Sequence, residues 1–260
     1  MGSYPYLPRV NILGVGVSAV NMAQALERIA DHIARRDPTY VVVCPVYTIV
    51  LSQRDPALRM AVNRAGLVTP DGMPLVFISR QMGYAHVRRV YGPELVTAVS
   101  EMSAERGYSC FFYGGAPGVA DDLARVMTWR FPALKVAGTY SPPFRESSAE
   151  EDEAVIQAIN EAGPDIIWVG LGSPKQELWM ARHRDRLTAP VLAGVGAAFD
   201  FLTGRVPQAP RWMQRIALEW LFRLLTEPRR LWRRYLIGNP LFLYYLFLQL
   251  TGLRRWTLDK

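Results

Sequence analysis

Seven short runs rich in valine, isoleucine and phenylalanine recur along the chain, separated by longer stretches of helical period, and no other feature narrows the fold as far. They are VNIL near residue 12, YVVVC at 40–44, GLVT at 66–69, SCFFY at 109–113, LKVAGTY at 134–140, DIIWVGL at 165–171 and PVLAGVG at 190–196. That alternation is the pattern of an α/β domain with a largely parallel sheet. Ser18 is placed to cap a helix running to about Arg36. Asp55-Pro56 opens a second helix and Ala116-Pro117 a third, with proline in a first turn where its missing N–H costs nothing. At 260 residues, half of them apolar, the chain suffices for a substantial core in one large domain, or in a domain plus an appendage.

Charge is distributed unevenly. Of 30 Lys+Arg and 23 Asp+Glu, 11 and 3 fall in residues 205–260, leaving 19 and 20 for residues 1–204. A near-neutral body, residues 1–204, therefore ends in a cationic appendage, residues 205–260, interleaved with Trp, Tyr and Leu. Such a segment suits a membrane surface, a lipid diphosphate or nucleic acid. It reads as amphipathic helices broken near Glu227-Pro228 and Asn239-Pro240, and packing as core or as an oligomer interface is the alternative. Residues 235–250 are interrupted by Gly238, Asn239 and Pro240 and fall short of the roughly 20 residues a spanning helix needs, so the expectation is a helix on the membrane, not through it. The first residues lack a basic region followed by an apolar core, so no secretory signal is expected. Cys44 and Cys110 lie inside apolar runs and are expected to be buried thiols in a reducing, cytosolic setting.

Three strand candidates end in glycine-rich turns: FFYGGAPG (111–118), VGLGSPKQE (169–177) and GVGAAFD (194–200). In a doubly wound sheet these turns gather at the carboxyl edge, where N–H groups face a nucleotide phosphate, unless each glycine only makes a tight turn. LGVGVSAV departs from the dinucleotide fingerprint and no Walker lysine pattern occurs. The sharpest local signal is TPDGMPLV (69–76), which holds Asp71 at a strand end ahead of a helix, as a general base or as a helix cap. HVRRVYGPELV (86–96) offers Arg88 or Arg89 to a diphosphate, or else a solvated charge pair. SPKQELWM (173–180) offers Gln176 to a base or sugar, or to a capping box with Ser173. His32, His86 and His183 are not in metal-ligand spacing and no Asp-x-Asp occurs, so no obligatory metal is expected.

VTPDGMPLV, RRVYGPELV, FFYGGAPGVA, GTYSPPFR, VGLGSPKQELWM and GVGAAFDFLTGRVPQAPRWMQRIALEWLFRLLTEPRRLWRRYL together resemble the WecG/TagA/CpsF glycosyltransferases, family 26, in order from about residue 10 to 245. The resemblance implies a Rossmann-like core with a C-terminal helical membrane-binding appendage, the GT-E fold. It also implies inverting transfer of a sugar from a UDP donor to a polyprenyl-diphosphate-linked sugar at the inner face of the cytoplasmic membrane, in surface-polymer synthesis. By the same resemblance Asp71 is the base, Arg89 and Gln176 line the donor pocket, and Arg223, Arg230 and Arg233 meet the lipid diphosphate. Gly114, Gly115 and Gly172 are expected to contribute donor contacts. Where many members carry Thr-x-Asn this chain has Val43, Cys44 and Pro45, so those polar contacts fall to neighbours such as Tyr47 and Thr48.

The reading is a peripheral, metal-independent, UDP-sugar-dependent inverting glycosyltransferase. A catalytically silent membrane-associated assembly partner would bind no UDP. A nucleic-acid-binding protein would show log-linear salt dependence and indifference to lipid, and the leucine and aromatic content argues against it. Donor sugar, linkage and any homo-oligomer stay open.

Overall fold

The computed structural model describes residues 7–143, 145 and 148–258. Along the chain these form β1 (Arg9–Ile12), β2 (Val15–Ser18), α1 (Met22–Arg35), β3 (Thr39–Cys44), α2 (Val46–Ser52), α3 (Pro56–Arg64), β4 (Leu67–Pro70), α4 (Met73–Gln81), α5 (Gly92–Arg106), β5 (Ser109–Gly114) and α6 (Val119–Arg130). There follow β6 (Lys135–Tyr140), α7 (Ala149–Ala162), β7 (Ile166–Gly170), α8 (Lys175–His183), β8 (Val191–Gly194), α9 (Ala198–Leu202), α10 (Arg211–Arg215), α11 (Glu219–Thr226), α12 (Pro228–Trp232), a π-helical turn (Arg233–Ile237) and α13 (Gly238–Leu250). The chain divides into two compact units, each assembled from separated stretches. One takes the residues up to Met22, Cys44–Val90 and Gln208 onward; the other takes Ala23–Val43 and Tyr91–Pro207.

In the second unit, strands β3, β8, β7, β5 and β6 pair in parallel in that order. Val191, Leu192 and Ala193 of β8 and Ile166, Ile167, Trp168 and Val169 of β7 have no exposed surface, which is why these central strands read as unbroken apolar runs. β6 lies at the edge of the order, and its residues are partly exposed, Lys135 most of all. Register places Gly114 opposite Gly170 and Val169 opposite Gly194, so the three glycine turns do gather at one carboxyl edge. Cys110 is buried and free, its thiol pushed up to about 11 by burial.

In the first unit the VNIL run is a strand, but not of the parallel sheet. β1 pairs antiparallel with β2, from Arg9 opposite Ser18 to Ile12 opposite Val15. Leu13 and Gly14 form the two-residue loop with φ of 54° and 80°, the paired positive values of a type I′ hairpin, and Asn11 Oδ1 accepts from the Gly14 N–H at 2.9 Å. The glycines of LGVGV therefore serve a hairpin. Ser18 lies inside β2, where its hydroxyl accepts from Val68 N–H, and does not cap α1. Asp55 caps α3 as expected, accepting from Leu58 N–H at 3.0 Å. The helix expected to open at Ala116-Pro117 starts two residues later, behind Gly118 at φ 80°.

The appendage folds against this unit. Gln249 bridges Leu13 N–H (2.9 Å) and the Asn11 carbonyl (3.0 Å), Asn11 Nδ2 donates to the Trp256 carbonyl (2.7 Å), and Trp256 Nε1 donates to Gln53 (2.7 Å). A helix ends before Glu227-Pro228, as the sequence implies, but no break occurs at Asn239-Pro240. The ladder shifts through the π turn just ahead, and Pro240 falls in the first turn of α13, where its missing N–H leaves no gap. Nor is α13 amphipathic. It is apolar all round, with Phe242 buried and Leu243, Phe247 and Leu250 exposed along one stripe, extended by Leu236 and Ile237. Among the described residues no helix is long and apolar enough to cross a membrane.

Candidate active site

Asp71 follows directly on β4. Its N–H donates to the carbonyl of Cys44 at the end of β3 (3.1 Å), while Val90 N–H donates to the Pro70 carbonyl (3.0 Å), returning the 84–90 loop alongside the strand end. Gly72, not Asp71, is the N-cap of α4, and no side chain caps that helix, so the carboxylate is not spent as a cap. The returning loop turns Arg89 inward and leaves Arg88 exposed, donating to the Ala85 and Val87 carbonyls. Arg89 Nε donates to the Asp71 carbonyl and Nη1 to Gln214 Oε1 (3.2 Å). Its Nη2 stands between two carboxylates, 2.6 Å from Glu219 Oε2 and 3.5 Å from Asp71 Oδ1. Burial raises the Glu219 pKa, with Arg89 opposing and Asp71 adding to the rise.

Glu219 and Arg223 lie one turn apart on α11, and Arg223 is buried. Arg234, in the π turn, sits with its guanidinium 4.6 Å from the centre of the Tyr47 ring, and its pKa is lowered by burial and by Arg223. Asp71, Arg89, Glu219, Arg223, Arg234 and Tyr47 thus form one cluster of three cations, two acids and a phenol. Glu219 and Arg234 were missed from sequence, since the spacing of EWLFR and RRLWRRYL does not say which charges turn inward. Arg230 is exposed and pairs with Glu227; Arg233 is exposed with its guanidinium 5.2 Å from the Trp232 ring centre. The three arginines expected at the lipid diphosphate are therefore not one cluster: Arg223 faces Glu219 and Arg234, and the other two are exposed.

Val43 and Cys44 are buried, and so is Thr48, which removes Thr48 as a polar substitute and leaves Tyr47. Tyr235 is likewise buried, 6.2 Å from the Trp220 ring, and not free to sit among headgroups; Trp212, Trp232 and Tyr244 are exposed.

In the other unit, Gly114 has φ 129° and a Cβ there would stand 2.6 Å from the Gly170 carbonyl carbon; Gly115 N–H donates to the Gly170 carbonyl (3.0 Å). Strand packing demands Gly114, while a Cβ at Gly115, φ 75°, would stand 2.7 Å from the Val119 side chain of α6. Gly172, at φ 74°, opens onto free space beside the start of α8. Gln176 is buried: its Oε1 accepts from Gly172 N–H (3.2 Å) and its Nε2 donates to Glu177 Oε1 (3.2 Å). The expected capping box does not form, because Ser173 Oγ donates to the Glu177 side chain (2.5 Å) instead. His32 meets Asp37, His86 the Ala19 carbonyl and His183 Asp152, each apart from the others.

The sequence profile described as "Glycosyl transferase WecG/TagA/CpsF family" matches residues 10–256. A curated protein of Bacillus spizizenii, N-acetylglucosaminyldiphosphoundecaprenol N-acetyl-beta-D-mannosaminyltransferase, is 30% identical over 185 residues, spanning 71% of this chain and 70% of its own length. Both the α/β core and the motifs around Asp71 and Arg89 lie inside the matched span, and the chain belongs to the WecG/TagA/CpsF family of glycosyltransferases.

Proposed function

We propose that the protein transfers a sugar from a UDP-sugar to a polyprenyl-diphosphate-linked sugar, with inversion, at the inner face of the cytoplasmic membrane. The carrying observation is a strand-end carboxylate, Asp71, left uncapped and set among Arg89, Arg223 and Arg234. In the step proposed, an acceptor hydroxyl oxygen attacks the anomeric carbon as Asp71 takes its proton; the bond from that carbon to the diphosphate oxygen breaks and UDP leaves from the opposite face. Arg89 and Tyr47 serve the donor, and charge growing on UDP is met by guanidinium groups without an obligatory metal. Arg230 and Arg233, both exposed, serve the acceptor diphosphate, whose oxygens the guanidinium fork matches. The exposed stripe of α13, with Trp212, Trp232 and Tyr244, supports docking on the leaflet that holds the acceptor.

The relative's name makes UDP-N-acetylmannosamine the first donor to try and a polyprenyl-diphosphate N-acetylglucosamine the first acceptor. Mass spectrometry of that reaction should show one N-acetylhexosamine added; failure with every UDP-sugar tried, together with no calorimetric binding of UDP, would leave the silent-partner reading in its place.

A further inference from the structure

Nothing in the family resemblance assigned a task to Glu219, yet it makes the shortest contact of Arg89 with any side chain for which the structure gives a distance, at 2.6 Å. The guanidinium cannot retreat, because Nε is held by the Asp71 carbonyl and Nη1 by Gln214. Nη2 stands between the two carboxylates and takes the nearer one, Glu219. A guanidinium that closes on a carboxylate lowers its pKa by about 1–3 units, and a less basic carboxylate is a poorer proton acceptor.

We propose that Glu219 is a positioning residue for the transfer step: by taking the short ion pair with Arg89 it holds that guanidinium off the Asp71 carboxylate and keeps Asp71 basic. The proposal rests on the reading of Asp71 as the base.

The surrounding charges leave that task to Glu219. Arg89 from the loop after α4, Arg223 from α11 and Arg234 from the π turn bring positive charge to the cluster, and Tyr47 from α2 lies against the Arg234 guanidinium. Within this cluster Glu219 is the acid that opposes them. Removing its charge acts twice in one direction, since it takes away a like charge and frees Nη2 to close on Asp71. The two carboxylates share one guanidinium, so the acid limb of activity belongs to the pair.

The test is the pH dependence of kcat and kcat/KM for the full chain, comparing wild type, Glu219→Gln, Glu219→Asp and Asp71→Asn, with thermal unfolding of each. Glu219→Gln should move the acid limb about one pH unit toward acid and lower the plateau kcat about tenfold. Glu219→Asp keeps the charge but lengthens the pair, and its limb should fall between. A Glu219→Gln limb that stays in place while the melting temperature drops would overturn the proposal, reducing Glu219 to a structural ion pair. If Glu219→Gln does not fold, Glu219→Asp carries the test, and a wild-type limb there overturns it equally. Asp71→Asn separates the two readings. Near-normal turnover removes the base and this proposal together, whereas an inactive Asp71→Asn beside an unmoved Glu219→Gln limb removes only the proposal.

Discussion

At the scale of single residues, what decides the site is which polar groups already have partners. Asp71 makes one long side-chain contact and caps nothing, whereas Gln176 has both ends of its amide engaged within its own turn. We expect Asp71→Asn to fold and to bind UDP in calorimetry while losing about 10²–10⁴ in turnover, the weight of a general base. Gly114 offers a prediction of another kind. Its left-handed φ and the 2.6 Å approach of the Gly170 backbone mean that Gly114→Ala must push two central strands apart, and chemical denaturation should register a loss of about 2 kcal/mol or more. The place of Asp71 at a strand end ahead of a helix was legible in TPDGMPLV, but spacing alone left it a base or a cap, and only the cap position of Gly72 separates the two. Glu219 and Arg234 were not legible, because a helix crowded with arginines shows its inward face only once its neighbours are in place.

At the scale of elements, apolar runs were legible wherever a strand is buried on both sides, as in β7 and β8. The β1–β2 hairpin was not, since its two residues of positive φ are Leu-Gly rather than the Asn-Gly that announces such a turn. The unbroken passage through Pro240 was hidden for a related reason: a π turn relocates the missing donor, and no residue type signals one. The apolar stripe of α13 carries its own test. Leu243→Ser, Phe247→Ser and Leu250→Ser combined should abolish sedimentation with anionic liposomes and leave the melting temperature nearly unchanged, because all three side chains are exposed. Retained sedimentation would move membrane contact to the arginines alone. Cutting the chain after Gly204 would not isolate the membrane contacts of the appendage, for it also removes Gln249 and Trp256 from the hairpin and Glu219 from Arg89.

At the scale of the whole molecule, the cationic appendage is part of the same compact unit as Asp71, which composition alone could not show. The cations near Asp71 are guanidinium groups. If these meet the leaving diphosphate as proposed, transfer should continue in excess EDTA; activity lost in chelator and restored by magnesium or manganese would contradict that account. Finally, the bonds from Asn11 and Leu13 to Trp256 and Gln249 bear on synthesis at the ribosome. The hairpin emerges among the first described residues and must wait for partners made more than 230 residues later. Residues 91–207 are complete well before then, so during translation one unit has all its strands while the other still lacks its closing helices.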